Sequence, residues 1–423
     1  MLASLKLNLS EHTTLSNFPI PKPLSVTLIH QPPAGHHRRP VAMMCFSEGK
    51  PRQEMEHLPE EVIILILMLL PVKSLLRFKC VSKSWFSIIS DFKFANSHFD
   101  LAAAPITHRV LYKPVKAYAS QTWSIDLDGS SLSAASVVLN PRFLPPNSNV
   151  EIKGSCRGFI LLRITRLSSC FSLWNPSTGS HKLIYRSPIM ASNAEGNHDS
   201  TFFFGFGYDV ATDDYLVVLA SYDHAAEYQV KFELFSLRAN TWNKLECTNL
   251  DYDNGSYTPK TGIFLNGIIH WFARRRDVGV SIILAFNLTE RSFSEVPLLP
   301  HFNHRDAEFS DLCVLGGRLG LCVRDGDRAD TADIWVMEEY KVQSSWTKLI
   351  VVSMDGIPIK YFFLICSTKS GDIVGLDGGT RLLKFNANGQ LLEHHTYWDD
   401  RYHWEAAIYT ESLLSLPVDY EQA

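Results

Sequence analysis

The sequence lacks the cysteine patterns that mark zinc sites and disulfide-stabilised secreted domains. It has only 8 cysteines in 423 residues, and no two of them form a CxxC pair. Neither a zinc site nor a disulfide framework is therefore predicted. A reducing compartment, the cytoplasm or the nucleus, is the simpler expectation. Most cysteines lie in apolar stretches such as FKCV and DLCVL, where we expect them to be small buried hydrophobic residues.

Long hydrophobic runs and a strong net charge are also missing. The longest apolar run is VIILILMLL (62–70), whereas a bilayer-spanning helix needs about 20 residues. The N-terminus has no basic flank followed by a continuous apolar stretch, so a secretory signal is not predicted. The net charge of -4 provides no global attraction to nucleic acid or to an anionic membrane. We expect neither as a partner.

Catalytic and cofactor motifs are missing as well. The chain contains no HExxH, GxSxG, P-loop or complete GxGxxG motif. The stretch DYDNGSY (251–257) lacks the twelfth-position glutamate of a calcium loop and is interpreted as a turn. The run ARRRD (273–277) fits a solvated loop better than a contact with an acidic or phosphorylated partner. We predict no catalytic residue, no metal site and no cofactor.

Residues 1–54 are rich in serine, proline, threonine and histidine, and their only acidic residues are Glu11, Glu48 and Glu54. This composition is typical of a disordered leader. A transit peptide is the alternative, because such peptides are also rich in serine and poor in acids.

Residues 55–100 show helical periodicity and are predicted to form three short helices. Pro59 suits a first helical turn, and the Leu70-Pro71 step ends one helix and begins the next. Ser82 is the predicted N-cap of the third helix. About 45 residues cannot bury all of the leucine, isoleucine and tryptophan side chains in this segment. We therefore expect an apolar surface with a cationic rim that binds a partner; a helical cap on the larger domain is the alternative.

This segment resembles the F-box, which has two Leu-Pro steps, an Ile-Leu pair, a valine and a tryptophan in this order. The resemblance covers about residues 57–100, and LPVKSLLRFKCVSKSW (70–85) looks like the plant version. Leu65, Met68 and Leu69 stand where relatives often have acidic or polar residues, which predicts an unusually apolar first helix. The resemblance implies a Skp-family adaptor as partner, with these contact residues: Leu58, Pro59, Ile66, Leu67, Leu70, Pro71, Leu75, Val81 and Trp85.

From about residue 105 the pattern changes to short strands separated by turn residues, and a hairpin recurs six times. The copies lie at 123–138, 171–184, 232–245, 283–296, 333–350 and 381–395. The equivalent positions are separated by 49, 61, 51, 50 and 49 residues, where the long interval contains the loop 187–201; they are Ile125, Trp174, Phe235, Phe286, Val336 and Phe385. A period near 50 residues is that of kelch-type β-propeller blades. Each of the last five copies follows a glycine-marked pair of strands. We predict about six blades, with the tail (402–416) pairing with 108–115 to close the ring.

The second segment resembles the plant F-box-associated domain. The resemblance rests on six stretches that span most of residues 154–349. They are GSCRGFILL, LWNPSTG, GFGYDVATDDYLVV, LNGIIHWFA, LAFNLTERSFSEVPL and ADIWVMEEYKVQSSWTKL. The predicted fold is α+β and multidomain, with a three-helix F-box at 55–100 and an all-β, kelch-like propeller of about six blades at 105–416.

The two resemblances imply the substrate-recognition subunit of an SCF-type ubiquitin ligase. The helices would bind a Skp-family adaptor, and through it a cullin and a RING protein, while the propeller captures an unknown protein substrate. Loop 187–201 and segment 300–310 are the candidate target-binding regions. The alternative is a propeller-based enzyme, or a scaffold outside the SCF complex, with the helices as a cap.

Overall fold

The structure is a computed structural model, and its described residues begin after the predicted leader. These residues are 58–102, 109–114, 122–127, 131–132, 136–139, 141, 143–144, 149–165, 170–185, 187, 201–223, 229–245, 252–254, 260–302, 310–324, 331–354, 362–377, 381–396 and 404–416. The predicted leader therefore lies outside the described residues, as do most of the loop 187–201 and most of the segment 300–310. In the described part of the chain, no helix has the length and apolarity needed to cross a membrane.

Helices fill the described N-terminal part, and there are four of them rather than the three predicted. They are α1 (Glu60–Met68), α2 (Val72–Phe78), α3 (Lys83–Ser90) and α4 (Phe92–Ala102). The predicted N-cap is confirmed, because the Ser82 hydroxyl accepts the Trp85 N–H at 3.1 Å. The additional helix begins where the Asp91 carboxylate accepts the N–H of Phe94 at 2.9 Å. One aspartate thus separates α3 from α4.

Strands fill the rest of the described chain and form six sheets, the blades of a propeller, which are antiparallel apart from one short parallel pair in blade 3. Blade 1 contains β1 (Arg109–Pro114), β2 (Thr122–Asp126), β3 (Ser136–Leu139) and β26 (Trp404–Tyr409). Blade 2 contains β4 (Val150–Cys156), β5 (Phe159–Ile164), β6 (Cys170–Trp174) and β7 (His181–Ile184). Blade 3 contains β8 (Thr201–Asp209), β9 (Asp214–Asp223), β10 (Gln229–Ser236) and β11 (Thr241–Leu245), with β13 (Lys260–Thr261) paired in parallel to β8.

The remaining three blades follow in chain order. Blade 4 contains β12 (Tyr252–Asp253), β14 (Ile263–Leu265), β15 (Ile268–Arg275), β16 (Ser281–Asn287) and β17 (Ser292–Val296). Blade 5 contains β18 (Asp311–Leu315), β19 (Arg318–Arg324), β20 (Thr331–Met337) and β21 (Trp346–Ser353). Blade 6 contains β22 (Phe363–Ser367), β23 (Ile373–Leu376), β24 (Arg381–Phe385) and β25 (Leu391–Thr396). The predicted propeller of about six blades is confirmed.

The six repeated hairpins are the two outer strands of the six blades. The residue used to align the repeats lies in the third strand of every blade and is at most 3% exposed. These six residues are Ile125, Trp174, Phe235, Phe286, Val336 and Phe385. A buried apolar residue at the same blade position therefore explains the spacing in the sequence.

Aromatic residues in the outermost strands of three blades contact the preceding blade. The indole N–H groups of two tryptophans donate to main-chain carbonyls at 3.0 Å, and one phenylalanine ring packs 4.5 Å from another ring. The pairs are Trp242 with Tyr185, Trp346 with Pro297, and Phe293 with Phe232. The aromatic residues at this blade position therefore serve blade-to-blade packing.

Two smaller expectations need correction. Cys80 is exposed, because α2 ends at Phe78 and the cysteine lies in the turn beyond its apolar face. The stretch predicted as a turn at 251–257 begins with a short strand, since Tyr252–Asp253 pairs with Arg275 and Arg274 of β15. Asp253 also accepts two hydrogen bonds from the Arg274 guanidinium, at 3.1 and 2.7 Å. Part of the arginine run therefore serves blade 4 itself.

The ring closes through the C-terminal strand, as predicted. β26 is hydrogen-bonded to β1 over six residue pairs, from Arg109 with Tyr409 to Pro114 with Trp404. β26 is thus the innermost strand of blade 1, whose other strands come from the beginning of the propeller. Closure covers two strand edges that would otherwise offer unpaired main-chain groups to other chains.

The chain beyond β26 is held by a turn of blade 2. Asn175 is fully buried, and its side-chain N–H group donates to the carbonyls of Ser412 (3.2 Å) and Leu414 (3.0 Å). Its side-chain oxygen accepts the Ser177 N–H at 2.9 Å, which fixes the turn itself. Gly158 makes room for the same tail, because a Cβ there would lie 2.7 Å from that of Ser412. Asn175 therefore links ring closure to blade 2.

Replacing Asn175 with alanine should destabilise the propeller by about 2–4 kcal/mol, because buried carbonyl groups of the tail lose their donor. Chemical denaturation of the full chain measures this change. Asn243→Ala is the matched control, since Asn243 is exposed on β11 and its loss should cost less than about 0.5 kcal/mol. Equal stability of the two variants would contradict the proposed role of Asn175.

Candidate partner-binding surface

Helix α1, together with its C-cap residue Leu69, is apolar on two opposite faces. Leu67 is fully buried on the inner face. Val62, Leu65, Ile66 and Leu69 are 38%, 65%, 46% and 78% exposed on the other. Their spacing of three, four and seven residues places them along one side of the helix. We call these four residues the outer stripe. Contiguous exposed apolar side chains of this kind mark an interaction surface.

The nine predicted contact residues fall into three groups by exposure. The five exposed residues are Leu58, Pro59, Ile66, Pro71 and Val81. Leu70 and Trp85 are half-buried. Leu67 and Leu75 are fully buried. Seven of the nine side chains therefore leave some surface accessible to a partner in this conformation.

Leu67 and Leu75, two of the predicted adaptor contacts, are buried inside the free chain. Both belong to the continuous core that includes Ile89 of α3 and residues of blades 2 and 3. They are buried because the apolar periodicity of α1 and α2 directs one residue per turn to the inside of the helical segment. Leu67 and Leu75 therefore pack in the core beneath the exposed residues of the helical segment.

Trp85 lies at the edge between core and surface. Its ring packs edge to face against Phe78, with centroids 5.3 Å apart, and Ser82 caps the helix that carries it. Val81 precedes that helix and is 60% exposed. The turn between α2 and α3 thus presents Val81 beside a tryptophan held in a defined position.

A histidine that the sequence interpretation missed supports the second Leu-Pro step. His98 of α4 is buried, and its Nε2 lies 2.8 Å from the Leu70 carbonyl oxygen. A carbonyl only accepts hydrogen bonds, so Nε2 carries the proton. Because proline has no N–H, the chain bends at Leu70-Pro71 without a main-chain donor from Pro71. His98 supplies a donor there, and no short sequence motif marks a contact between residues so far apart.

The rim of the surface is cationic. Between Val72 and Ser90 the chain carries Lys73, Arg77, Lys79 and Lys83 and no acidic residue. Partial burial lowers the pKa of Lys79, whose Nζ lies 5.9 Å from the centre of the Phe86 ring. A surface with this charge pattern favours a partner with acidic groups around an apolar centre.

The described residues contain no cluster of side chains suited to bind a metal ion. No group of three or more histidine, cysteine, aspartate or glutamate side chains within them is arranged to hold a metal ion.

Comparison with known families identifies both segments. Residues 55–96 match the F-box domain, and residues 114–375 match the F-box associated beta propeller domain. The second match alone covers more than half of the chain. The two families therefore divide the chain into the helical segment and the propeller described above.

Curated relatives from Arabidopsis thaliana are named as F-box proteins. An F-box/kelch-repeat protein is 28% identical over 305 residues, which are 70% of this chain and 79% of the relative. The F-box protein CPR1 is 27% identical over 317 residues, which are 70% of this chain and 73% of the relative.

Among solved structures, Porphyromonas gingivalis dipeptidyl peptidase 4 aligns over 70% of this chain and 45% of its own chain, at 9% sequence identity and a TM-score of 0.34. That structural likeness is too low to carry a conclusion. The family matches and the exposed helical surface agree that this chain belongs to the plant F-box proteins with an F-box-associated β-propeller.

Proposed function

We propose that this chain is the substrate-recognition subunit of an SCF-type ubiquitin ligase and works in the cytoplasm or nucleus. The helices bind a Skp-family adaptor, which connects to a cullin and a RING protein. The observation that carries this proposal is the apolar surface of α1 and the α2–α3 turn, where five predicted contact residues are exposed. Membership in the F-box family supports the same partner class.

The helical-cap alternative explains only one side of this segment. Leu67 and Leu75 pack inside, as residues of a cap would. The outer stripe, however, points away from that core, and a cap has no need for apolar residues on its solvent side. If an adaptor covers the outer stripe and Val81, the apolar residues on the outer face are explained as well as those that pack inside.

The chain itself makes no bonds in this mechanism. It holds a target protein near the ubiquitin-conjugating enzyme that the RING protein carries. A bimolecular encounter between target lysine and thioester then becomes effectively intramolecular, which raises the local concentration of the reacting groups. The target is degraded after ubiquitination, while the receptor is unchanged.

The strand directions support one face of the propeller for target binding. Helix α4 contacts the turn between β4 and β5, at one end of the innermost strand of blade 2. The two candidate target-binding regions, 187–201 and 300–310, lead into β8 and β18, which are the first strands of blades 3 and 5 in chain order, as β4 is of blade 2. Those strands begin at the opposite end of the propeller from the β4–β5 turn. The proposal therefore places adaptor and target on opposite faces.

Val81→Asp should weaken binding of a purified Skp-family adaptor at least tenfold, because a charge would be buried at the centre of the interface. The matched control is Val278→Asp, since Val278 is 57% exposed on blade 4 and Val81 is 60% exposed. Calorimetric titration gives both dissociation constants. The proposal is wrong if the wild-type chain fails to bind the adaptor or if both variants bind as the wild type does.

Trp85→Ala removes a central aromatic anchor and should cost about 2–4 kcal/mol of adaptor binding, roughly 30- to 1,000-fold in the dissociation constant. The propeller should remain folded, because Trp85 lies outside the blades. Near-ultraviolet circular dichroism checks folding in parallel with the titration. An unchanged dissociation constant would count against the predicted surface.

His98→Ala should weaken adaptor binding about tenfold by leaving the Leu70 carbonyl without its donor, although His98 itself is buried. His98→Gln keeps an N–H group that can reach this carbonyl, so it should recover most of the affinity. Equal losses in the two variants would contradict a role for this hydrogen bond.

A further inference from the structure

Arg157 joins the helical segment to the propeller. It lies in the turn between β4 and β5, and its Nη2 donates to Oδ1 of Asn96 in α4 at 2.9 Å. The guanidinium also lies 3.6 Å from the Asp100 carboxylate and 4.9 Å from the centre of the Phe99 ring. One side chain of the propeller therefore contacts about one turn of α4, from Asn96 to Asp100, through a hydrogen bond, an ion pair and a cation–π contact.

The same guanidinium is held from the propeller side. It lies 4.5 Å from the centre of the Tyr208 ring in β8 of blade 3. Burial, with a hydrogen bond to Asp213, raises the pKa of Tyr208 to about 12, so this ring stays neutral at physiological pH. Arg157 thus contacts one aromatic ring of the helices and one of the neighbouring blade.

The backbone at Arg157 is unusual for an arginine. Its φ is 46° and that of Gly158 is 80°, the left-handed pair that a tight hairpin turn requires. The equivalent turn of blade 4 uses Asn266 and Gly267, at 50° and 80°, and blade 5 uses glycine at both positions (316–317). Asparagine and glycine adopt this conformation more readily than arginine does. Blade 2 instead places a long cation there, and this cation contacts α4.

Apolar packing alone does not fix an orientation. The helices and blades 2 and 3 share one continuous hydrophobic core, but such contacts are non-directional and tolerate small rotations. A guanidinium has donors in a rigid planar arrangement, so its contacts with Asn96 and Asp100 define one position of α4.

We propose that Arg157 is a positioning residue that holds the adaptor-binding helices at one fixed orientation to the propeller. The consequence for catalysis rests on the proposed function: a fixed orientation keeps the captured target at a constant distance from the ubiquitin thioester. The orientation itself is a property of this chain alone and is measurable without a partner.

The test compares distance distributions in the full chain by pulsed electron spin resonance. Spin labels are attached through unnatural amino acids at Ser87 in α3 and Ala387 in blade 6, both exposed. Arg157→Asn keeps a residue suited to the turn, as Asn266 shows, and removes the guanidinium. Arg318→Asn is the control, because it removes an arginine that pairs with Glu338 in blade 5.

Wild type and Arg318→Asn should give one narrow distance, whereas Arg157→Asn should at least double the width of the distribution. A distribution as narrow as that of the wild type would overturn the inference. Should Arg157→Asn fail to fold, the double variant Asn96→Ala, Asp100→Asn removes the same polar contacts from the helical side. It should broaden the distribution likewise, and an unchanged width would again overturn the inference.

Adaptor titration separates this inference from the proposed function. Arg157→Asn should bind a Skp-family adaptor within about twofold of the wild type, because the outer stripe and Val81 are untouched. Failure of the wild-type chain to bind the adaptor would contradict the proposed function, and the distance distributions would still decide the role of Arg157.

Discussion

Ring closure is the constraint on which the rest of this structure depends. A propeller whose first and last blades are not joined exposes strand edges, and here the pairing of β26 with β1 joins them. The tail then reaches Asn175 and Gly158 of blade 2, so the blade that receives the tail also contacts the helices. Closure and helix attachment therefore meet in the β4–β5 turn, where Gly158 faces the tail and Arg157 contacts α4.

The helical segment divides its apolar residues between two tasks. Its inner residues join the core of blades 2 and 3, whereas the outer stripe and Val81 face solvent. Attachment to the propeller leaves the exposed surface accessible, because α4 makes the polar contacts with Arg157 and the outer stripe belongs to α1. The same small segment thus serves both as an anchored part of the fold and as a surface for another protein.

Repetition and periodicity made the fold predictable. Trp174, Phe286 and Phe385 occupy one blade position, so their spacing gave the blade number before any contact was known. Exposure was predictable for Val81 and Ile66 from the small size of the segment. The burial of Leu67 and Leu75 depends on helical phase, which decides which leucine turns inward, and their contact with an adaptor stays a prediction. His98 and Arg157 act across long sequence separations, and nothing local to them signals their partners.

The central claim is that the surface around the second Leu-Pro step is covered by another protein. Hydrogen–deuterium exchange of the full chain, with and without a purified Skp-family adaptor, tests it most directly. We predict slower exchange in α1, α2 and the α2–α3 turn on adaptor binding, and unchanged exchange in the strands of blades 4, 5 and 6. Protection confined to the blades, with α1 and α2 exchanging as in the free chain, would contradict the account.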